Sequence, residues 1–330
     1  MEKSYVLDCV MGFITGDCFG AQLDGVDVRK TGTGPIYKPQ EKNVYGFPFG
    51  TFTSVSSLML CCAKSLANGV DCDDIMENFS KWYTFGYMSP AKRAFAVDNV
   101  ILRSIINYKK GIRPAVECGK TNDYDSINSV LNYILPLAFV VKDLSQKDKF
   151  DTIKEVCRLT SSKKDSHIAA SLFVLFIINL LENRDKNKVK IFNDTLKEIY
   201  MYFLKDEEYK YSLSKCAKIF YAAVENKNKD ILYELDTLRD ALEVALKSFF
   251  ERDGAFLSIV DCAGYGGDSA LATALVGAMC AAYNDEDMDM IIDWQEYINK
   301  IPEIDEICNT IYSKYIDKND KQNKEQEAQI

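Results

Sequence analysis

Two stretches of the chain, Ile168 to Leu181 and Leu271 to Tyr283, are apolar on every side at helical spacing. Helices of that kind persist only where other helices cover them. No alternation of apolar and polar residues bounded by turn residues runs beyond about four positions, so a sheet has no source. The expected fold is therefore all-α, a single compact multi-helix bundle with these two stretches at its centre. A third pattern, Ile231, Leu235, Leu238, Leu242, Ala245 and Phe249, forms one stripe with Glu234, Arg239 and Lys247 off it, which predicts a helix packed on one side only. Glycine-rich segments at 25–50 and 264–267 fall between helices, and no internal repeat is present.

No Pro/Gly/Ser-rich linker divides the 330 residues before the last 18, so residues 1–312 are expected to form one helical domain and residues 313–330 a charged, disordered tail. The formal charge of -9 argues against nucleic acid or an anionic membrane as partner, because both require a concentrated basic surface. Ile168 to Leu181 falls short of the roughly 20 residues that span a bilayer, and the chain opens without a signal pattern, so a cytoplasmic location is expected. The eleven cysteines lie mostly in apolar stretches, as Cys9, Cys61, Cys62 and Cys280 do, which reads as reduced core thiols. One histidine, His167, and no CxxC pair leave structural zinc without its ligands. His167 itself, alone on an apolar helix, reads as a hydrogen-bonded surface or boundary residue.

Three segments carry chemical information. The first runs Met11-Gly12-Phe13-Ile14-Thr15-Gly16-Asp17-Cys18-Phe19-Gly20-Ala21, with Asp24 just beyond it; the second is Gly50-Thr51-Phe52-Thr53-Ser54-Val55-Ser56-Ser57; the third is Gly266-Gly267-Asp268-Ser269-Ala270-Leu271-Ala272. Between them come Phe79-Ser80-Lys81-Trp82, the stretch from Phe95 to Ile105, Asn128 to Leu137, and Leu159-Thr160-Ser161. In this order the segments resemble the motifs of the ADP-ribosylglycohydrolase family, and the resemblance covers about the whole domain.

That resemblance implies a helical bundle in which the start of the Thr53 helix faces the Gly266-Gly267-Asp268 turn. It implies a binuclear magnesium site on two pairs of aspartates, and places Asp24 where some members carry an acidic residue that activates the scissile bond. At the four ligand positions this chain reads Ser54, Val55, Asp268 and Ala270, and Leu271 replaces a threonine. Three of four carboxylates are gone. A cation this reluctant to lose its water needs several anionic oxygens, so no cofactor is expected and the two-metal site is read as lost. Further departures point the same way: Ala96 for an aspartate, Ser129 for a glycine, Asn132-Tyr133 for Met-Arg, and Ser161 for a histidine.

The same residues have plainer readings. Asp17 fits a brace at a helix end, and Thr53 and Ser54 fit an N-cap. Gly266-Gly267-Asp268-Ser269 is equally a turn with an N-cap or a set of backbone N–H groups for a phosphate. Tyr265 either stacks on a base or closes the core. The leading functional expectation is an inactive protein that binds or sequesters ADP-ribose or a related nucleotide, cyclic or signalling forms included, without metal. Its ligand contacts are assigned to Asp24, Thr53, Ser54, Ser56, Asn128, Ser129, Tyr133, Ser161, Gly264, Tyr265, Gly266, Gly267, Asp268 and Ser269. The alternatives are a hydrolase with a weakened or rebuilt site, using Asp24, Asp98 and Asp268 as residual catalytic groups, and a structural protein with a filled pocket.

Overall fold

In the computed structural model the described residues, 3–28, 32, 35–120, 128–225, 241–283, 288–299 and 301–317, are helical wherever they are regular. In chain order the helices are α1 (Lys3–Gly20), α2 (Ser54–Asn68), α3 (Cys72–Phe85), α4 (Asn99–Lys109), α5 (Asn128–Leu131), α6 (Leu137–Val141), α7 (Gln146–Cys157), α8 (Lys164–Glu182), α9 (Lys188–Phe203), α10 (Lys210–Glu225), α11 (Ala241–Glu251), α12 (Ala255–Ala263), α13 (Ser269–Tyr283), α14 (Met288–Gln295) and α15 (Glu303–Ile311). An isolated antiparallel bridge between Lys42 and Pro48 is the extent of β structure among the described residues.

The scaffold is the crossing of α1 with α13. Gly12, Gly16 and Gly20 recur every fourth residue on α1, and Ser269, Thr273, Gly277 and Ala281 recur at the same interval on α13. The two small-residue stripes let the backbones touch. A Cβ built on Gly16 would lie 2.0 Å from the Thr273 carbonyl oxygen, and one on Gly277 would lie 2.2 Å from that of Gly12. The Ser269 hydroxyl donates to the Gly20 carbonyl at 2.7 Å, closing the crossing at its polar end. Around this pair, α8 is buried through almost its whole length, as its all-round apolarity predicts. It is long and apolar enough to cross a membrane by composition, yet it lies mostly buried inside the bundle.

Local sequence sets the helix ends. Asp71 and Asp98 accept from the first amides of α3 and α4, and Gly86 closes α3 in the left-handed region. Gly50 stands in the approach to α2 at φ 88°, where a Cβ would meet the Tyr297 carbonyl oxygen at 1.8 Å. Only glycine fits there.

Three expectations need correction. The helix carrying Leu242, Ala245 and Phe249 is not packed on one side: Glu243 and Lys247 of α11 are buried too, since α10, α12 and α13 all lie against it. Ile231, Leu235 and Leu238 lie outside the described residues. The expected tail starts too early, because Tyr312–Asp317 continues α15 as a π-helical segment with Ile316 buried; residues 318–330 lie outside the described set. His167 is no boundary residue. It is buried, with Nδ1 2.6 Å from the Tyr209 hydroxyl, and burial, helped by Lys164, drives its pKa down to about 3, so it stays neutral. All eleven cysteines are free thiols, and every one but Cys72 is buried.

Candidate functional site

Both motif helices begin at the last turns of α1. Asp17, fully buried, uses Oδ2 to accept from the amides of Thr53 and Ser56, each at 3.0 Å, and so braces the start of α2 from outside that helix. The Thr53 side chain accepts from the Val55 amide at 3.2 Å. One turn further along α1, Gly20 receives the Ser269 hydroxyl, and Asp24 reaches the start of α13, where Oδ1 accepts from the Ala270 amide at 3.2 Å. The starts of α2 and α13 therefore converge on residues 17–24. Their positive ends meet there, and carboxylates answer them.

Those carboxylates are not ordinary ones. Burial pushes the Asp17 carboxyl up to about 7, against the pull of hydrogen bonds from Ser56 and Thr53. Asp17 Oδ1 and Ser56 Oγ are both buried without a hydrogen-bond partner. Asp268 is likewise raised to about 7, first by burial and then by the negative charges of Asp24 and Asp98. Asp24 is raised by burial and drawn back by hydrogen bonds from Tyr45 and the amides of Ala270 and Ser269. Asp98 spends Oδ1 on the amides of Val100 and Ile101 at 2.8 and 2.9 Å. Asn128 links two elements to this group: its Nδ2 donates to Asp268 Oδ2 at 2.9 Å and its Oδ1 accepts from the Ala241 amide at 3.2 Å.

The glycine turn does not offer its amides to an anion. The Gly264 amide donates to Val260, Tyr265 to Cys262, Gly266 to Ala263 and Gly267 to Val26, all backbone carbonyls. Gly266, at φ 66°, lies so close to the Val26 carbonyl oxygen that a Cβ would stand 2.3 Å from it. Of the two readings of this turn, chain packing is the one the geometry supports. Tyr265 packs half-buried against the core with the Lys247 ammonium 5.4 Å from its ring centre.

Other assigned contacts also fall elsewhere. Tyr133 is wholly buried, its hydroxyl 2.7 Å from Thr160 Oγ1, and Ser161 is buried with its hydroxyl 2.8 Å from that of Ser166. Both are interior hydrogen bonds: the first ties the segment before α6 to the α7–α8 connection, and the second ties that connection to the start of α8. Ser129 is buried in α5. Asp24, Thr53, Ser54, Asn128, Asp268 and Ser269 do come together, with Asp98 beside them.

One feature of the site had no motif to announce it. The Tyr45 hydroxyl donates to Asp24 Oδ2, and the Tyr45 ring meets Phe95 edge to face at 5.6 Å. Phe95 in turn packs on Phe47 at 4.5 Å, and the Arg93 guanidinium lies 5.1 Å from the Phe47 ring centre. An aromatic wall thus stands next to the carboxylates.

A magnesium pair does not fit these residues. Val55 and Ala270 are buried apolar side chains, Ser54 donates its hydroxyl to the Ala96 carbonyl at 2.5 Å, and Asp24 is committed to α13 and Tyr45. Among the described residues no three His, Cys, Asp or Glu side chains converge as a donor set.

A family model described as ADP-ribosylglycohydrolase matches residues 2–321. Among solved structures the chain is similar to an ADP-ribosylglycohydrolase-related protein complex, at 18% identity and a TM-score of 0.67, over 95% of this chain and 99% of that one. At that identity the likeness speaks for the fold. No curated protein sequence matches the chain.

Proposed function

The chain belongs to the ADP-ribosylglycohydrolase family, and on that premise we propose that it binds an ADP-ribose-type nucleotide without metal and does not hydrolyse it. The observation that carries this reading is the exchange of ligand carboxylates for packing. Val55 is 4% exposed and Ala270 is 1% exposed, so both serve the core, whereas Asp268 remains half-buried beside Asp24 and Asn128. Carboxylates of this kind are strong acceptors for sugar hydroxyls. The diphosphate is not held by the Gly264 to Gly267 amides, because those are spent; the ribose is the group that the surviving side chains suit.

Two results are expected. In magnesium, no ADP-ribose is released from modified protein or from an O-acetylated ester, and mass spectrometry finds the substrate intact; turnover abolished by a chelator would show a working metal site and refute the proposal. In calorimetry, ADP-ribose binds with the same affinity in magnesium and in excess chelator. Asp268→Ala weakens that binding by about 1.5–3 kcal/mol, the range for a charged hydrogen bond. Absence of binding in both buffers would leave the filled-pocket reading in its place.

A further inference from the structure

The segment joining α3 to α4 is held in a conformation that its residues resist. Met88, Lys92 and Ala96 adopt φ of 55°, 55° and 51°, and none is glycine, asparagine or aspartate. Left-handed backbone of this kind costs roughly 1–2 kcal/mol per ordinary residue, so three within nine residues require outside support. That support is visible at three points. Ser54, the first residue of α2, donates its hydroxyl to the Ala96 carbonyl at 2.5 Å. Phe95 is seated on Tyr45 and Phe47, and Tyr45 is itself fastened to Asp24. Inside the segment the Ser89 hydroxyl donates to the Arg93 carbonyl at 2.8 Å.

Both ends are fixed hinges. Gly86 ends α3 at φ 69°, with Lys92 packed so near that a Cβ would meet its carbonyl carbon at 2.2 Å. Asp98 starts α4 by accepting from two amides, while its charge reaches Asp268. Between these hinges, residues 87–97 bridge from α3 over the start of α2 to the aromatic wall.

We infer that Ser54 is a positioning residue, whose hydroxyl latches residues 87–97 as a strap over the start of α2 and so sets access to the carboxylates of Asp24 and Asp268. The latch depends on Ser54 being a donor. An aspartate at the same position presents only acceptor oxygens to the Ala96 carbonyl, and two acceptors at that distance repel. A carboxylate at position 54 is therefore incompatible with the closed strap. Opening also releases the strain at Ala96, so the latched state is opposed by the backbone and kept by the Ser54 hydrogen bond and the seating of Phe95 on Tyr45 and Phe47. Control of ligand entry rests on the proposed nucleotide site, but the latch is a property of the free protein and is tested there.

Hydrogen exchange followed by mass spectrometry, on the full chain without ligand, reads the amides of Ser89 and Lys92, which donate to Gly86 and Ser89 in the closed strap. Ser54→Ala is expected to speed their exchange about five- to tenfold, as loss of a single hydrogen bond implies. Ser54→Thr keeps a donor and restores the parent rate, and Ser54→Asp gives the fastest exchange of the series. Ala96→Gly relieves the left-handed strain and slows exchange about fivefold. Exchange at Ser89 and Lys92 that is equal in the parent, Ser54→Ala and Ser54→Asp would overturn the inference, and a general rise across α8 and α13 would assign the effect to global loss of stability instead. Failure of ADP-ribose to bind any of these proteins bears on the nucleotide proposal and leaves the exchange result standing.

Discussion

Gly16→Ala is expected to cost the fold at least about 3 kcal/mol, toward the upper end for overpacking by a single methyl group. The added carbon would stand 2.0 Å from the Thr273 carbonyl oxygen, 2.5 Å from its carbon and 2.9 Å from Ala274 Cα, all backbone atoms of a helix that has no rotamer to change. Relief requires α1 and α13 to separate along their whole crossing, which also pulls Ser269 from Gly20 and Ala270 from Asp24. Thermal unfolding should fall by at least roughly 4 °C, given an unfolding entropy of about 2.1 cal/mol/K per residue over the whole chain. Gly264→Ala is the matched control: φ is ordinary, at -62°, and the nearest atom lies at 3.2 Å, so its effect should stay within about 1 kcal/mol. If both variants melt alongside the parent, the helices do not meet at their backbones.

Asp17→Ala is expected to cost about 2–5 kcal/mol, because the amides of Thr53 and Ser56 lose a buried acceptor together. Asp17→Asn keeps an acceptor oxygen, and its effect changes with pH. In the folded protein this carboxyl titrates near 7, above the usual value near 3.9 in an unfolded chain. Between those limits the folded state holds a proton that the unfolded state has released, so stability falls as pH rises through the window and levels off above it. The slope from this one group is at most about 1.4 kcal/mol per pH unit. Asparagine carries no such slope. The variant should therefore gain on the parent between pH 5 and pH 7, and the comparison cancels the similar contribution of Asp268. Denaturant midpoints that move in parallel for the two proteins across that range would show that Asp17 is not buried as a protonated acid.

Much of this was legible in the sequence because its causes are local. The all-round apolarity of α8 and α13 and Thr53 as an N-cap are both readable within one or two helical turns, whereas the close approach that Gly12, Gly16 and Gly20 permit shows only once α13 lies against them. Asp17 as a brace was readable in kind, though its partners on α2 were not. What escaped depends on residues far apart in the chain. The amide of Gly267 is spent on Val26, and Gly25 returns the bond to Gly267, so the loop that looked open to a phosphate is filled by a segment some 240 residues away. Tyr133 and Ser161 stand in matching motif positions, yet their hydroxyls are turned inward to Thr160 and Ser166. Tyr45 and Phe95 sit in irregular backbone, where no periodicity marks a side chain that meets another.

The α1 and α13 crossing also sets an order of events at the ribosome. Gly20 and Ser269 are 249 positions apart, so α1 emerges long before the helix whose backbone it must touch. At the usual synthesis rates the wait is roughly 10–50 s. During that time the glycine stripe of α1 lacks the helix it packs against, and Phe19 lacks Trp294, on which it stacks in the folded protein. A chain arrested before residue 269 should accordingly be recovered bound to a chaperone or as aggregate, and release of the native state should coincide with arrival of α13.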